Sequence, residues 1–582
     1  MRHPAIPAFL AFAVRQRLRL RESELAFILL AAGAGVAAGL LTTVQQFLAH
    51  GLQRVFYGIS SERLSALGAI EQPWRLLALP FGGLLLVGLA RLLRRRTRAP
   101  VDVVEANALH GGRIAPGDSL VISAQTIISN GAGASVGLEA AYAQMGGGAA
   151  SVLGHWLKLR RNDLRTLVGA GAGAAVGAAF GAPLAGAFYA FEIVIGTYTP
   201  SAIAPVLGAC LVAAWVTGTI GDAPYLIATT ADRVFHGADY FAYALLGLLC
   251  AGVGIALMRL VTAAEMRVQG WKRLGRWRPV LGGALLMPIA WLSPQSLSAG
   301  HGALHLNLVL HPVLSFLLMV LLLKIAASVI SLAFGFRGGL FFASLFLGSL
   351  VGQIFAVLAG QAGFEVNPND AALVGMAALS VAVVGGPMTL AVLMLETTHD
   401  FALMSVVLTA SLVSGAFTRE MFGYSFSTWR LHLRGSMIRS PRDIGWMLNL
   451  SAARIMRRDW VSVREDLSIG AFRTRVPLGS ASKAVVVDAE GRYRGILATA
   501  AAYAPELDAD APIGSIAALE RDMLSPGADI QAMLKAFDSL GADEMAVVDA
   551  QGQVLGVVTE RHARRRYFEE VEASQRELFG ES

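Results

Sequence analysis

No charged side chain interrupts the sequence from Val168 to Phe191, nor from Ala371 to Leu395. Each run carries an internal proline (Pro183, Pro387), and each ends at a glutamate nine residues beyond it (Glu192, Glu396). The texts read APLAGAFYAFE and GPMTLAVLMLE. Upstream, GLEAAYAQMG from Gly137 matches GLFFASLFLG from Gly339, and the distance from that glycine to the proline is 46 residues in one copy and 48 in the other. Two elements recurring at nearly one spacing mark an internal duplication. Apolar runs of this length suit a bilayer, and duplicated membrane halves are a common way of building a transporter. The pattern predicts an all-α polytopic membrane domain of two inverted-topology repeats.

Composition agrees with a life in lipid. Hydrophobic residues make up 55% of the chain and charged ones only 15%, against about 25% charged in an average soluble protein. The net charge of +7 is gathered into arginine clusters beside apolar runs, where arginines anchor a membrane protein; it does not read as a nucleic-acid surface. Arg15, Arg17, Arg19 and Arg21 precede the uncharged run Leu25–Ala49, and Arg91, Arg94, Arg95, Arg96 and Arg98 follow a second run, Trp74–Ala90. By the positive-inside rule both clusters are cytoplasmic. No small-residue cleavage site follows the first run, so it reads as a retained span rather than a signal peptide. The expectation is a multi-pass protein of the cell membrane with cytoplasmic N- and C-termini. Cys210 and Cys250 both lie in apolar runs and read as buried thiols. There is no GxxxxGK[ST] loop, no HExxH and no CxxC pair, so an enzyme reading finds no footing and no metal or organic cofactor is expected. His301, His305 and His311 come closest to a cluster without making a ligand motif.

After Pro100 the apolar pieces shorten and are divided by glycine or proline, as in the broken helices that carry helix ends to the middle of a bilayer. Proline suits the first turn of a helix, and Gly137 and Gly339 also read as helix starts. Several helix N-termini would then converge, each offering unpaired N–H groups and a partial positive charge, which together bind an anion. Glu139 lies in one of these starts. A carboxylate at membrane depth costs about 2.5–3.5 kcal/mol even on the lenient scale, so it calls for a purpose or a partner. Taken alone it could be satisfied by a neighbouring helix or sit near the membrane surface; set in a helix start, it can occupy the place of the anion. Lys324, inside the run His311–Phe334, is open to two readings: a packing or helix-end partner, or part of an ion path.

These residues resemble the CLC family of chloride channels and chloride/proton antiporters, over roughly Glu24 to Gly435. GLEAA of Gly137–Ala141 is similar to the family's GREGP, and Gln144 and Gly146 match its continuation. APLAG from Ala182 resembles NAPLAG, GLFFA from Gly339 resembles GxFxP, GPMTLAVLMLE matches the second-repeat helix, and LHGGRI from Leu109 is also family-like. The resemblance implies that Glu139 is the gating glutamate, and that the backbone of Gly137 and Leu138, and of Gly339, Leu340 and Phe341, surrounds the anion. It also implies a homodimer with one pore per subunit, for which Ile203–Gly218 and Phe401–Phe417 are the natural interface. The departures are substantial. Leu138, Ala140, Ala141 and Ala343 replace motif residues; Ser427, near Tyr424 and Phe426, falls at the pore tyrosine; and Arg98 falls at the pore serine. Arg98 either adds charge at the inner mouth or belongs to the cytoplasmic cluster. The antiporters' inner proton-relay glutamate falls on Ile193, which carries no proton.

From about Arg439 short strands alternate with charge. AVVVDAEGRYRGILAT from Ala484 repeats as AVVDAQGQVLGVVT from Ala546, with Asp488 and Asp549 61 residues apart. Between them Ile530, Met533, Leu534, Phe537 and Leu540 follow helical spacing. This resembles an α+β CBS-domain pair. The acids that hold an adenosine ribose in that family are replaced by Ala502 and His562, so the resemblance implies a structural or dimer-stabilising tail rather than a nucleotide site. The domains expected are a cytoplasmic N-terminus (1–23), a membrane transport domain (24–435) and a cytoplasmic tandem domain (436–582). The function expected is chloride transport. A protonated Glu139 loses its attraction to the helix ends and swings aside; protonation alternating from two sides makes a chloride/proton exchanger, and protonation from one side makes a pH- or voltage-gated channel. A membrane-anchored sensor without ion flux is the remaining alternative.

Overall fold

A computed structural model describes residues 23–59, 63–93, 100–221, 234–271, 275–310, 312–433, 450–519 and 522–579. They divide into two compact units, one within Met1–Asp443 and one within Ile444–Ser582. The N-terminal arginines, Arg94–Arg96, Arg98 and His311 lie outside the described residues.

The regular elements of the first unit are helices: α1 Glu24–Tyr57, α2 Ala78–Leu92, α3 Val103–Leu109, α4 Pro116–Gly131, α5 Glu139–Trp156, α6 Arg161–Phe180, α7 Pro183–Tyr189 and α8 Pro200–Ile220, then α9 Gly237–Gln269, α10 Arg278–Leu292, α11 His301–Leu310, α12 Leu314–Ala333, α13 Phe341–Gln361, α14 Pro368–Val384, α15 Pro387–Thr398, α16 Phe401–Met421 and α17 Phe426–Leu433. Seven helical stretches among the described residues are long and apolar enough to cross a membrane, including α1, α8, α9, α12 and α13. The run Val168–Phe191 is not one helix. Gly181, at φ 65°, ends α6 in the left-handed region, and Pro183 opens α7; Gly385, at φ 93°, and Pro387 do the same between α14 and α15. The residues after α7, Ala190–Ile195, wind into a wider π-type turn that carries Glu192 and Ile193.

Small residues let the helices touch backbone to backbone. Gly146 of α5 lies against Gly171 of α6, and Gly348 of α13 against Gly375 of α14; a Cβ on any of the four would strike the partner's carbonyl oxygen. Gly146 and Gly348 are the glycines that close the two matched decapeptides, so the duplicated text marks duplicated crossings. Lys324 of α12 is fully buried; its Nζ donates to the carbonyls of Ser296 (3.3 Å) and Ser298 (2.7 Å) and lies 5.8 Å from the centre of the Phe346 ring. In this position it satisfies backbone carbonyls, as a packing residue does.

The second unit holds α18 Ala452–Ile455, β1 Ser462–Arg464, α19 Ile469–Arg475, β2 Lys483–Val487, β3 Tyr493–Ala498, α20 Ile530–Leu540, β4 Glu544–Val548, β5 Val554–Thr559 and α21 Glu560–Phe579. β2 pairs parallel to β1 and antiparallel to β3, while β4 and β5 form a separate antiparallel pair. Both hairpins slip register at the same place, between Val486 and Val487 and between Val547 and Val548. Both turns are held alike: Asp488 Oδ1 accepts the N–H groups of Glu490 (3.0 Å) and Arg492 (2.8 Å), and Asp549 Oδ1 those of Gln551 (2.9 Å) and Gln553 (2.8 Å). In α20, Ile530, Met533 and Phe537 enter the core as the spacing predicts, but Leu540, in the last turn, is exposed.

Candidate functional site

The two matched glycines meet. Gly137 N–H donates to Gly339 O at 3.0 Å and Gly339 N–H donates to Gly137 O at 3.2 Å, a two-bond bridge between segments 202 residues apart. α5 begins at Glu139 and α13 at Phe341, so two helix N-termini face one spot. Glu139 is only 4% exposed. Its Oε1 accepts the N–H of Phe342 at 3.1 Å, while Oε2 is buried with no hydrogen-bond donor among the described residues. A methyl group on Gly137 would collide with both carboxylate oxygens, and a Cβ on Gly339 would come within 3.1 Å of Oε2. The carboxylate therefore lies across the bridge and takes a donor from the first turn of α13. That donor is Phe342, one residue beyond the Leu340 and Phe341 named from the sequence. Any N–H of a helix's first turn is free to serve, so the motif alone does not single it out.

Two cavities meet at this point. The first, about 180 Å³, is lined by Leu138, Tyr142, Phe180, His301 and Phe342, with His50 and Arg63 further out. The second, about 300 Å³, is lined by Glu139, Leu340, Phe341, Tyr189, Ile193 and Ser427, with Asp102, Glu265, Arg337 and Arg430. Leu138 and Phe342 face one cavity while their neighbours Glu139 and Phe341 face the other. Residues adjacent in the chain thus line different cavities on both segments, and Glu139 is on the wall of the second. Aromatic rings pack at this junction: Phe180 lies 5.3 Å from Phe341 and 6.0 Å from Phe342, and Tyr189 meets Phe341 at 6.3 Å, edge to face.

The expected residues Gly137, Leu138, Glu139, Ile193, Gly339, Leu340, Phe341 and Ser427 all come to this junction or to the walls beside it; Arg98 lies outside the described residues. A third cavity, about 520 Å³, shares Ile193 and Ser427 with the second. Sequence reasoning missed Phe180, Tyr189, Asp102 and Phe342. It also missed what the repeated glutamates do. Glu396 accepts the N–H groups of Leu184 (2.9 Å) and Ala185 (2.8 Å), in the first turn of α7. Glu192 accepts those of Met388 (3.2 Å) and Thr389 (2.9 Å), in the first turn of α15, and the Thr389 hydroxyl (2.7 Å). Each half caps the proline helix of the other. The signal lay in the equal nine-residue offset from proline to glutamate.

A family profile for voltage gated chloride channels matches residues 82–419, more than half of the chain. The chain belongs to the CLC family. Its function is accordingly CLC-type chloride transport, carried out by a channel or transporter and not by an enzyme. The voltage-gated ClC-type chloride channel ClcB of Salmonella typhimurium is 28% identical to this CLC protein over 407 residues, which cover 68% of this chain and 96% of the relative. A slow cyanobacterial Cl−/H+ antiporter superposes with a TM-score of 0.60 at 22% identity, over 70% of this chain and 97% of its own. A eukaryotic CLC transporter does so with a TM-score of 0.60 at 16% identity, over 92% and 97%. At such identities the likeness of this CLC chain to these structures is one of fold.

Proposed function

We propose that this protein exchanges chloride for protons across the cell membrane, with Glu139 as the gate. The observation that carries the reading is the Glu139 carboxylate itself, lying across the Gly137–Gly339 bridge where adjacent residues line two different cavities, and holding the Phe342 N–H. An ionised Glu139 competes with chloride for converging helix ends; a protonated one loses that attraction and leaves the site to the anion. Gly137, Leu138, Gly339, Leu340, Phe341 and Ser427 are assigned to the anion path. Ile193, which cannot carry a proton, favours a second reading, a passive pH-gated channel. Chloride efflux from vesicles of the reconstituted protein tests the gate. Glu139→Gln is expected to carry chloride at a rate that no longer follows pH, and a variant that kept the full pH response would remove Glu139 from the role. Uphill proton movement driven by a chloride gradient distinguishes exchange from passive flow.

The two halves are assigned an inverted-repeat relation, supported by the Gly137–Gly339 bridge, the exchanged Glu192 and Glu396 caps and the paired Gly146–Gly171 and Gly348–Gly375 crossings. The second cavity is assigned to the cytoplasmic side because Asp102, which lines it, closely follows the arginine cluster that the positive-inside rule puts there; both termini are proposed to be cytoplasmic on the same rule. The tail is assigned to CBS-like tandem modules, in keeping with its two matched hairpins, and to a structural role without nucleotide, since Ala502 and His562 stand where acids would be needed. A homodimer is proposed, with α8 and α16 at the interface; both expose large apolar side chains, Leu211 and Trp215 on one and Phe401 and Leu412 on the other.

A further inference from the structure

An exchanger needs protons at Glu139 from both sides, and Ile193 offers none from the cytoplasmic cavity. One helical turn earlier on the same wall is a phenol. Tyr189 is 8% exposed, lines the second cavity, and among the described residues its hydroxyl has no hydrogen-bond partner. Its ring meets Phe341 edge to face at 6.3 Å, and Glu139 lines the same cavity. Asp102 lines the same cavity. Its Oδ1 caps α3 by accepting the Glu105 N–H at 2.8 Å, and among the described residues its Oδ2 carries no hydrogen bond. The cavity, at about 300 Å³, has room for several waters at roughly 30 Å³ each.

We propose that Asp102 and Tyr189, bridged by water in the cavity, carry protons from the cytoplasm to Glu139, in place of the carboxylate missing at Ile193. The inference rests on the exchanger reading above. A proton arriving by way of Asp102 and the cavity water passes to the phenol oxygen as the phenol's own proton passes to the unpartnered Oε2 of Glu139. Glu139 ends neutral, the tyrosine is unchanged in charge, and no phenolate forms. The other ionisable groups around the phenol are already engaged. Glu265 pairs with Arg430 at 3.0 Å, Arg337 donates to Gln125, and Arg165 of α6 donates to the carbonyls of Asn107 and Ile195. Glu192, next to Ile193, has both oxygens taken by α15 and is a cap rather than a relay.

The test uses the full chain in vesicles, with chloride and proton movements recorded together under a chloride gradient; the readout is protons moved per chloride, not the rate. Tyr189→Phe is expected to lower that ratio by about tenfold or more, as loss of a general acid–base group does. Asp102→Asn, which keeps a capping oxygen for α3, is expected to lower it in the same sense. Adding Ile193→Glu to Tyr189→Phe is expected to restore it, which a merely structural role for the phenol would not allow. Tyr189→Phe with the wild-type ratio overturns the route while leaving exchange standing. A wild-type protein that moves chloride without protons overturns the exchanger reading and the route with it.

Discussion

Gly137→Ala isolates the gate from the rest of the pore. The backbone at Gly137 is not in the left-handed region, so alanine fits it without strain. The three atoms nearest an added Cβ all belong to the Glu139 carboxylate group, and two of them are its oxygens. The substitution therefore acts on one thing, the seat of the gate. To clear the methyl the carboxylate must leave its place and give up the Phe342 N–H, now accepted at 3.1 Å. A hydrogen bond to an ionised acceptor contributes about 1.5–3 kcal/mol, which shifts the balance between seated and displaced gate by roughly 10- to 150-fold. In vesicle efflux assays, chloride flux at neutral pH is expected to rise towards that of Glu139→Gln, while flux at acidic pH, where the gate is already neutral, changes little. The ratio of acid to neutral flux should fall by about tenfold or more. In a Glu139→Ala background the same substitution has nothing to displace and should add no further change. If Gly137→Ala kept the wild-type pH ratio, the carboxylate would not be seated over the bridge, and the gating argument would fail.

The exchanged caps make a ranked prediction for melting of the detergent-solubilised protein. Glu192→Ala strands three donors and Glu396→Ala two, so both should lower the midpoint and the first should lower it more, by about 2–4 against 1–2 kcal/mol of stability; the reverse order would contradict the assignment. Lys324→Met leaves the Ser296 and Ser298 carbonyls without their donor and is expected to cost about 1–3 kcal/mol in the same assay, and an unchanged midpoint would deny the lysine its packing role. In the tail, Asp549→Ala removes the acceptor of two turn N–H groups while Asp549→Asn retains one, so hydrogen exchange across β4 and β5 should quicken in the first variant and hardly move in the second.

What was legible in the sequence was whatever broke a rule of composition. Glu139 stood out because a carboxylate is out of place in an uncharged run, and the prolines and glycines stood out because they interrupt helices. Tyr189 and Asp102 broke no rule: an aromatic residue in an apolar run reads as core, and an aspartate before a short helix reads as a cap, which Asp102 also is. Their proximity to Glu139 depends on three segments converging, and no single-segment pattern encodes that. The paired glutamates were visible as a repeat, yet their role needed the knowledge that the two halves face each other.

The duplication also explains why the site has one carboxylate rather than two. The matched texts run Gly137-Leu138-Glu139 and Gly339-Leu340-Phe341, alike for two residues and different at the third. Where the two copies meet, backbone is shared evenly, with each glycine giving one N–H and one carbonyl to the other. The third position breaks that evenness: one copy supplies a negative side chain and the other, through the Phe342 N–H, the donor that receives it. A second carboxylate in place of Phe341 would set two negative charges across one bridge in a site of low dielectric, where their repulsion would drive both from the seat. A phenylalanine there adds a ring that narrows the passage without charge. In the proposed mechanism, a symmetric frame with an asymmetric third residue yields a single movable plug, and a plug that is neutral only when protonated ties the passage of an anion to the arrival of a proton.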